Sequence, residues 1–356
     1  MKKKTIIIGI ETSCDETAVS ILRDNGKNKP EILSNVVSSQ FEVHKKFGGI
    51  VPDLAARAHL DKIDIITKKA LKISEVSLKD VDAVAATAGP GLIVSLSVGL
   101  NFAKALSLSL KKPFIAVNHL EGHALSPKLN FNIKYPYLLL LISGGHTQFV
   151  SVNALGKYKR LGTTIDDALG EAFDKTAKLL NIGFPGGPKI EEYALKGDCD
   201  RFLLPKPIFH KGGCNLSFAG LKTAILRKME FIKSNQDRYD LAASFQKTIL
   251  ETLFKKTKVA ISYYKKIQPK NKNLVVAGGV AANTEIRKKL KELCNQENFN
   301  IYFPDKQLCT DNAAMIALAG LERYNKKRFN KCDFKIKPRW DLDAKAKFLK
   351  GSGVKL

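Results

Sequence analysis

Short apolar runs that end in acidic or glycine-rich turns, separated by stretches with helical spacing, constrain this chain more than any other feature. KTIIIGIETS and TAVSIL read as neighbouring strands, 53–71 has helical spacing, VDAVAATAG is a strand, LIVSLSVGLNFAKALSLSL a helix and PFIAVN a further strand. Such alternation predicts an α/β fold. A turn-rich stretch, 126–136, precedes a second strand pair, YLLLLISGGHTQFVSV, and is expected to divide the chain into a first lobe (1–125) and a second (126–310). Helical segments follow over 168–180 and 241–264, then the strand NLVVAGG and a helix over 283–294. A last helix runs through AAMIALAGLERY, with Thr310 and Asp311 as N-cap candidates. It is expected to complete the first lobe (311–330), and the basic stretch 339–356 is expected to be a flexible tail.

At 356 residues the chain exceeds the size at which one core usually stops growing, which agrees with two lobes. The basic start MKKK runs into Glu11, Asp15 and Glu16 without a cleavage site, and no uninterrupted apolar stretch reaches membrane-spanning length. A soluble, cytoplasmic protein that does not engage a membrane is the expectation. Six cysteines without paired spacing suit reduced thiols. The formal net charge of +25 would draw in a polyanion such as a nucleic acid. Only 10 of the 59 basic residues are arginine, so a lysine-rich genomic bias explains the charge about equally well.

Three turns follow strands: GIETSCDET, SGGHT and AGGVAAN. Glycine lets backbone N–H groups approach phosphate oxygens, and a following helix adds its dipole. One such turn is usually an ordinary hairpin or cap; three, one per strand–turn unit, resemble the phosphate and adenosine loops of the actin, Hsp70 and sugar-kinase architecture. His119 and His123 stand four apart after PFIAVN, so on a helix both imidazoles share a face and suit one metal ion. The same spacing also arises by chance. Asp311, in the turn CTDNAAM, is the candidate third ligand, an oxygen beside two nitrogens. Glu121 lies two residues after His119, on the far side of a helix from His123, so the general base of an H-E-x-x-H peptidase is missing. Asp15 and Glu16 are a carboxylate pair at a strand end, although one of them could cap the next turn. Asp166, Asp167 and Glu171 suit the start of a helix electrostatically, whereas Asp174 lies deeper, on the face of Leu169 and Ala177.

ETSCDET, SSQFEVHKKFGGIVPDLAARAH, TAGPGL, NHLEGH, ISGGHTQ, DDALGEAFDKTAKLL, FPGGP, LSFAGLKTA, AGGVAAN, CTDNAAMIA and KPRW occur in the order found in one family. Over nearly the whole chain the sequence resembles the tRNA N6-adenosine threonylcarbamoyltransferases, formerly labelled O-sialoglycoprotein endopeptidases. The resemblance implies a two-lobed actin-like (ribonuclease H-like) fold. It implies transfer of the threonylcarbamoyl group from threonylcarbamoyl-AMP to N6 of adenosine 37 in tRNAs reading codons that start with A, with release of AMP. By similarity His119, His123 and Asp311 hold one Fe(2+) per subunit, with Zn(2+) as the alternative. Leu141, Ile142, Ser143, Gly144, Gly145, Asp174, Gly187, Glu191 and Asn283 match the substrate-nucleotide positions, and Asp15 and Glu16 the acidic catalytic pair. Implied partners are tRNA, a synthase that supplies threonylcarbamoyl-AMP, a shortened paralogous subunit docking on the N-terminal lobe, and an ATPase subunit. Val94, Asp53, Glu191 and the ending KPRWDLD depart from the family pattern without touching the metal ligands. A kinase of the same fold, which would need a carboxylate Mg²⁺ site instead of two histidines, and a non-catalytic nucleotide-regulated scaffold are the alternatives.

Overall fold

The computed structural model describes residues 4–26, 29–47 and 49–347. The chain forms two compact units, the first from residues up to 133 with 304–344, the second from 134–303 with the chain from 345 onward. The observed division thus falls at 133/134, where the sequence suggested 125/126. The reason is local: the short turn Ser126–Leu129 packs on the helices His119–Leu125 and Ala313–Asn325 of the first unit.

The first unit opens with β1 (Thr5–Glu11), β2 (Glu16–Asp24) and β3 (Glu31–Ser39), an antiparallel meander. The helices α1 (Phe41–Lys45) and α2 (Pro52–Ser74) follow, then β4 (Ala83–Gly89), α3 (Ile93–Leu110), β5 (Phe114–Asn118) and α4 (His119–Leu125). β4 and β5 add in parallel to give the order β3-β2-β1-β4-β5. β1, β4 and β5 are nearly continuous apolar runs because helices cover both of their faces. The core beneath α2 and α3 gathers Ile8, Ile10, Val19, Ile21, Ile63, Ile66, Val84, Leu100 and Ala103. Among the described helices α3 alone is long and apolar enough to cross a membrane by length and composition; Ser95, Leu96, Leu100 and Ala103 form its buried face within this unit.

The second unit contains β6 (Tyr137–Ile142), β7 (Thr147–Ala154), β8 (Lys157–Thr163), α5 (Leu169–Leu180), α6 (Gly186–Ala194), α7 (Ala219–Lys228), α8 (Asn235–Ile267), β9 (Asn273–Ala277), α9 (Thr284–Glu297) and β10 (Asn300–Tyr302). The sheet order is β10-β9-β6-β7-β8, with β6 parallel to β9 and antiparallel to β7. β6, YLLLLI, is buried at every position, as a central strand covered on both faces must be. The 33-residue α8 starts at a capping box between Ser234 and Asp237 and lays Leu241, Phe245, Ile249 and Leu253 along its buried face.

The chain then returns to the first unit with α10 (Ala313–Asn325), which packs on β1, β2, β4 and α4. Gly9 makes this approach feasible, since a Cβ there would lie 2.5 Å from the Ala313 carbonyl oxygen. Residues 337–340, part of the expected flexible tail and its approach, are tied down: the Lys337 amide donates to the Ala88 carbonyl, and Trp340 packs against the core of this unit. Residues 348–356 of that expected tail lie outside the described residues.

Candidate metal centre and glycine turns

Asn118 ends β5 and begins α4: its Oδ1 accepts the Leu120 and Glu121 amides at 2.8 and 3.3 Å, and its Nδ2 donates to the Trp340 carbonyl. Every residue of α4 is buried, so His119 and His123 project from one rigid face, their rings edge to face 4.7 Å apart. Gly122 lets α4 press on α10, for a Cβ would lie 2.9 Å from Ile316 Cδ1.

Asp311 arrives from the other side of this contact. The expectation that Thr310 or Asp311 caps the last helix is corrected: Asn312 is the cap, its Oδ1 accepting the Met315 amide at 3.1 Å. The residue immediately before the first helical turn is the one whose side chain reaches that amide, and this leaves Asp311 for other work. Asp311 Oδ1 lies 3.0 Å from His123 Nε2 and 3.4 Å from His119 Nε2. The three candidate ligand atoms lie within 4.8 Å of one another.

Glu11, which the sequence reading passed over, orients this cluster. It is fully buried at the end of β1; its Oε2 accepts from His119 Nδ1 at 3.0 Å and from the Thr87 hydroxyl, and its Oε1 accepts the Ser13 amide at 2.5 Å. A proton held on Nδ1 turns Nε2 towards Asp311, the arrangement in which a carboxylate sets the tautomer of a metal-binding histidine. Burial opposes charge on His119, yet Asp311 and Glu11 outweigh it and hold its pKa well above the usual imidazole value. Burial would likewise raise the Glu11 and Asp311 carboxyls, but the neighbouring histidines bring both below the ordinary range. Two Nε2 atoms and one carboxylate oxygen form a donor set that suits iron or zinc, and a cation held here would take the place of the proton on His119 Nε2.

Glu121 is not among the three candidate ligands. Its Oε1 accepts from Arg323 Nε at 2.6 Å, with the carboxylate side chain almost wholly buried. Asp15 lies in the β1–β2 turn and Glu16 is the first residue of β2. Burial, then the Asp311 and Asp15 carboxylates, push the Glu16 pKa well above its usual value.

The remaining candidate residues belong to the second unit. Leu141 and Ile142 end β6 and are fully buried, while Ser143, Gly144 and Gly145 form the turn into β7, closed by the Ser143 amide on the His146 carbonyl. That turn abuts α5, whose Gly170 amide donates to the Ser143 carbonyl at 3.1 Å. Asp174, further along α5, accepts the Gly186 amide at 2.7 Å and so sets the start of α6. Glu191 on α6 accepts the Thr284 amide at 2.7 Å, and Asn283 caps α9 through the Ile286 amide while its Nδ2 reaches Gln246. Glycine turns thus follow two parallel neighbours, β6 and β9, at their C-terminal ends, where ligands of α/β sheets bind. At Gly144, Gly145, Gly187 and Gly279 the space that a Cβ would take is open. Asp174, Glu191 and Asn283, matched to nucleotide positions by resemblance, each hold a backbone amide of this same region. Gln246, a polar residue on the buried face of α8, carried no sequence signal.

Residues 31–318 match the TsaD family, described as tRNA N6-adenosine threonylcarbamoyltransferase. Proteins with that name from Pelagibacter ubique, Rickettsia massiliae and Bartonella bacilliformis are 67%, 54% and 50% identical to this chain. The matches cover 100%, 95% and 98% of the chain and 100%, 98% and 98% of those proteins. Among solved structures, HypF of T. kodakarensis superposes with a TM-score of 0.61 at 16% identity over 91% of this chain, which spans about half, 48%, of that longer protein. Component A of (R)-2-hydroxyglutaryl-CoA dehydratase from Acidaminococcus fermentans gives 0.51 at 14% identity, covering 90% of this chain and 98% of its own. These likenesses speak to the fold, which is the α/β actin-like kind that the resemblance implied. With the matched stretch spanning most of the chain and full-length relatives at this identity, the chain belongs to the tRNA N6-adenosine threonylcarbamoyltransferase family.

Proposed function

We propose that this protein transfers the threonylcarbamoyl group from threonylcarbamoyl-AMP to N6 of adenosine 37 in tRNAs that read codons starting with A, and releases AMP. The observation that carries the reading is the convergence of His119 Nε2, His123 Nε2 and Asp311 Oδ1, oriented by Glu11, in a chain of this family. In the reaction the adenine N6–carbamoyl carbon bond forms and the carbamoyl carbon–oxygen bond to phosphate breaks. The electron pair leaves with AMP, and the N6 proton passes to a carboxylate, Asp15 or Glu16. Backbone amides of the turn 143–145 and of the α6 and α9 starts are the groups available to stabilise the growing charge on the AMP phosphate. His119, His123 and Asp311 would hold one Fe(2+), or Zn(2+), per subunit, and a bound ion supplies Lewis-acid polarisation of a substrate oxygen. The two imidazole nitrogens in this donor set favour the transferase over a Mg²⁺-dependent kinase. A cytoplasmic setting follows from the same reading, as do three partners: a synthase for the activated donor, a shortened paralogous subunit on the N-terminal lobe and an ATPase.

The test combines the purified chain with its partners, synthase-made donor and tRNA, and follows label into the anticodon loop. The wild-type chain is expected to carry one bound ion and to lose transfer on chelation, and Asp311→Ala to lose both ion and transfer. Full transfer by Asp311→Ala would overturn the metal-centred reading.

A further inference from the structure

Two buried histidines of the first unit lie outside the metal cluster, and neither is explained by it. His44 and His59 are both wholly buried, and between them sits Gln40, 4% exposed. Their hydrogen bonds run in one direction, and each link forces the next. The Val51 amide can only donate, so His44 Nδ1 accepts it at 3.3 Å, and neutral His44 carries its proton on Nε2. That Nε2 lies 3.1 Å from Gln40 Oε1, which fixes which end of the amide is oxygen. Gln40 Nε2 therefore donates to the Ala55 carbonyl at 3.3 Å and to His59 Nδ1 at 3.2 Å. With Nδ1 accepting there and facing the Thr17 hydroxyl at 2.7 Å, the proton of His59 sits on Nε2. It has one acceptor, the Cys14 carbonyl, at 3.1 Å. Burial, the largest influence, lowers the His59 pKa and favours this neutral form.

The end of the relay is the turn that carries the acidic pair. The Gln40 backbone amide also grips the next carbonyl, that of Asp15, at 3.1 Å, and the Leu92 amide holds that of Ser13 at 2.8 Å. Three successive carbonyls of the turn 13–15 are thus each pinned from a different element. The relay begins at α2, whose first turn supplies Val51 as N-cap and Ala55, and whose next turn supplies His59.

From this geometry we propose that His59 is a positioning residue: by donating from Nε2 to the Cys14 carbonyl, in an orientation set by Gln40 and His44, it holds the backbone that aims Asp15 and Glu16 at the reacting amine. The proposal rests on the transfer reaction proposed above. The hydrogen bonds of His59 go to Thr17, Gln40 and the Cys14 carbonyl and to none of the candidate metal ligands; it acts through the turn. A displacement of about 1 Å of such a group costs up to about 100-fold in rate, without weakening binding of groups held elsewhere.

The test compares His59→Phe, which keeps bulk without a donor, with His59→Gln, whose Nε2 can still reach the Cys14 carbonyl. Both are made in the full chain and assayed with its partners. His59→Phe is expected to lower kcat by about 10- to 100-fold, with KM for threonylcarbamoyl-AMP within about twofold and bound metal per chain unchanged. His59→Gln is expected to recover most of kcat. The proposal is overturned if folded His59→Phe keeps wild-type kcat, if the loss lies in KM or in metal content, or if His59→Gln is as impaired as His59→Phe. Should His59→Phe not fold, Gln40→Leu, which removes both neighbours' partner, takes its place under the same criteria. Failure of both to fold would make the relay a stability element and likewise overturn the proposal. A wild-type chain that does not transfer would instead count against the reaction itself, so the two failures remain distinct.

Discussion

Glu11 and Glu121 show how far one residue's role depends on its neighbours. Both are buried carboxylates near the histidine pair, yet Glu11 accepts from His119 and Glu121 pairs with Arg323. The turning away of Glu121 followed from helical angles alone, because Glu121 and the two histidines lie on one short helix. The task of Glu11 did not, because its partners Thr87 and His119 are far along the chain and meet it only across the sheet. An acid closing the apolar run IIIGIE was the only hint. Glu11→Gln keeps the shape but loses the charge that favours Nδ1–H on His119. It should weaken metal affinity by about 10- to 100-fold, read by competition with a chelating dye. An unchanged affinity would show that Glu11 does not act on the ligand.

At the scale of elements, α4 and α10 form the frame of the candidate metal centre, and their contact is locked by Arg323–Glu121 as well as by Gly122. Removing the guanidinium leaves a buried carboxylate without that partner, which typically costs about 3–5 kcal/mol. Arg323→Met should therefore lower stability by about 3 kcal/mol or more in urea unfolding, and loosen metal binding in proportion. A loss under about 1 kcal/mol would mean that the pair is not a structural lock. Most elements were legible from period and punctuation: the strands around IIIGIE and YLLLLI, and the helices over 53–71 and 241–264. The edge strands β3 and β8 were not, because EILSNVVSS and KYKRLGT are half exposed and lack a continuous apolar run. The start of α10 shifted by one residue because Asp311 and Asn312 are both good caps in isolation, and only the fold assigns one to the helix and the other to the histidines.

For the whole molecule, a charge of +25 and a polyanionic substrate make association electrostatic. The logarithm of tRNA affinity should fall linearly with the logarithm of salt concentration, measured by filter binding between about 50 and 200 mM. A flat dependence would assign the charge to composition alone. The sequence by itself determined the class of fold, the histidine pair and the glycine turns. These are properties of periodicity, spacing and local backbone freedom. Only the tertiary structure decided that Asp311 Oδ1 faces both Nε2 atoms, that Glu11 sets the His119 tautomer, and that His44, Gln40 and His59 pass one chain of hydrogen bonds to the Cys14 carbonyl. Each of these joins residues brought together by the packing of different strands and helices, and burial then allows only one assignment of donors and acceptors.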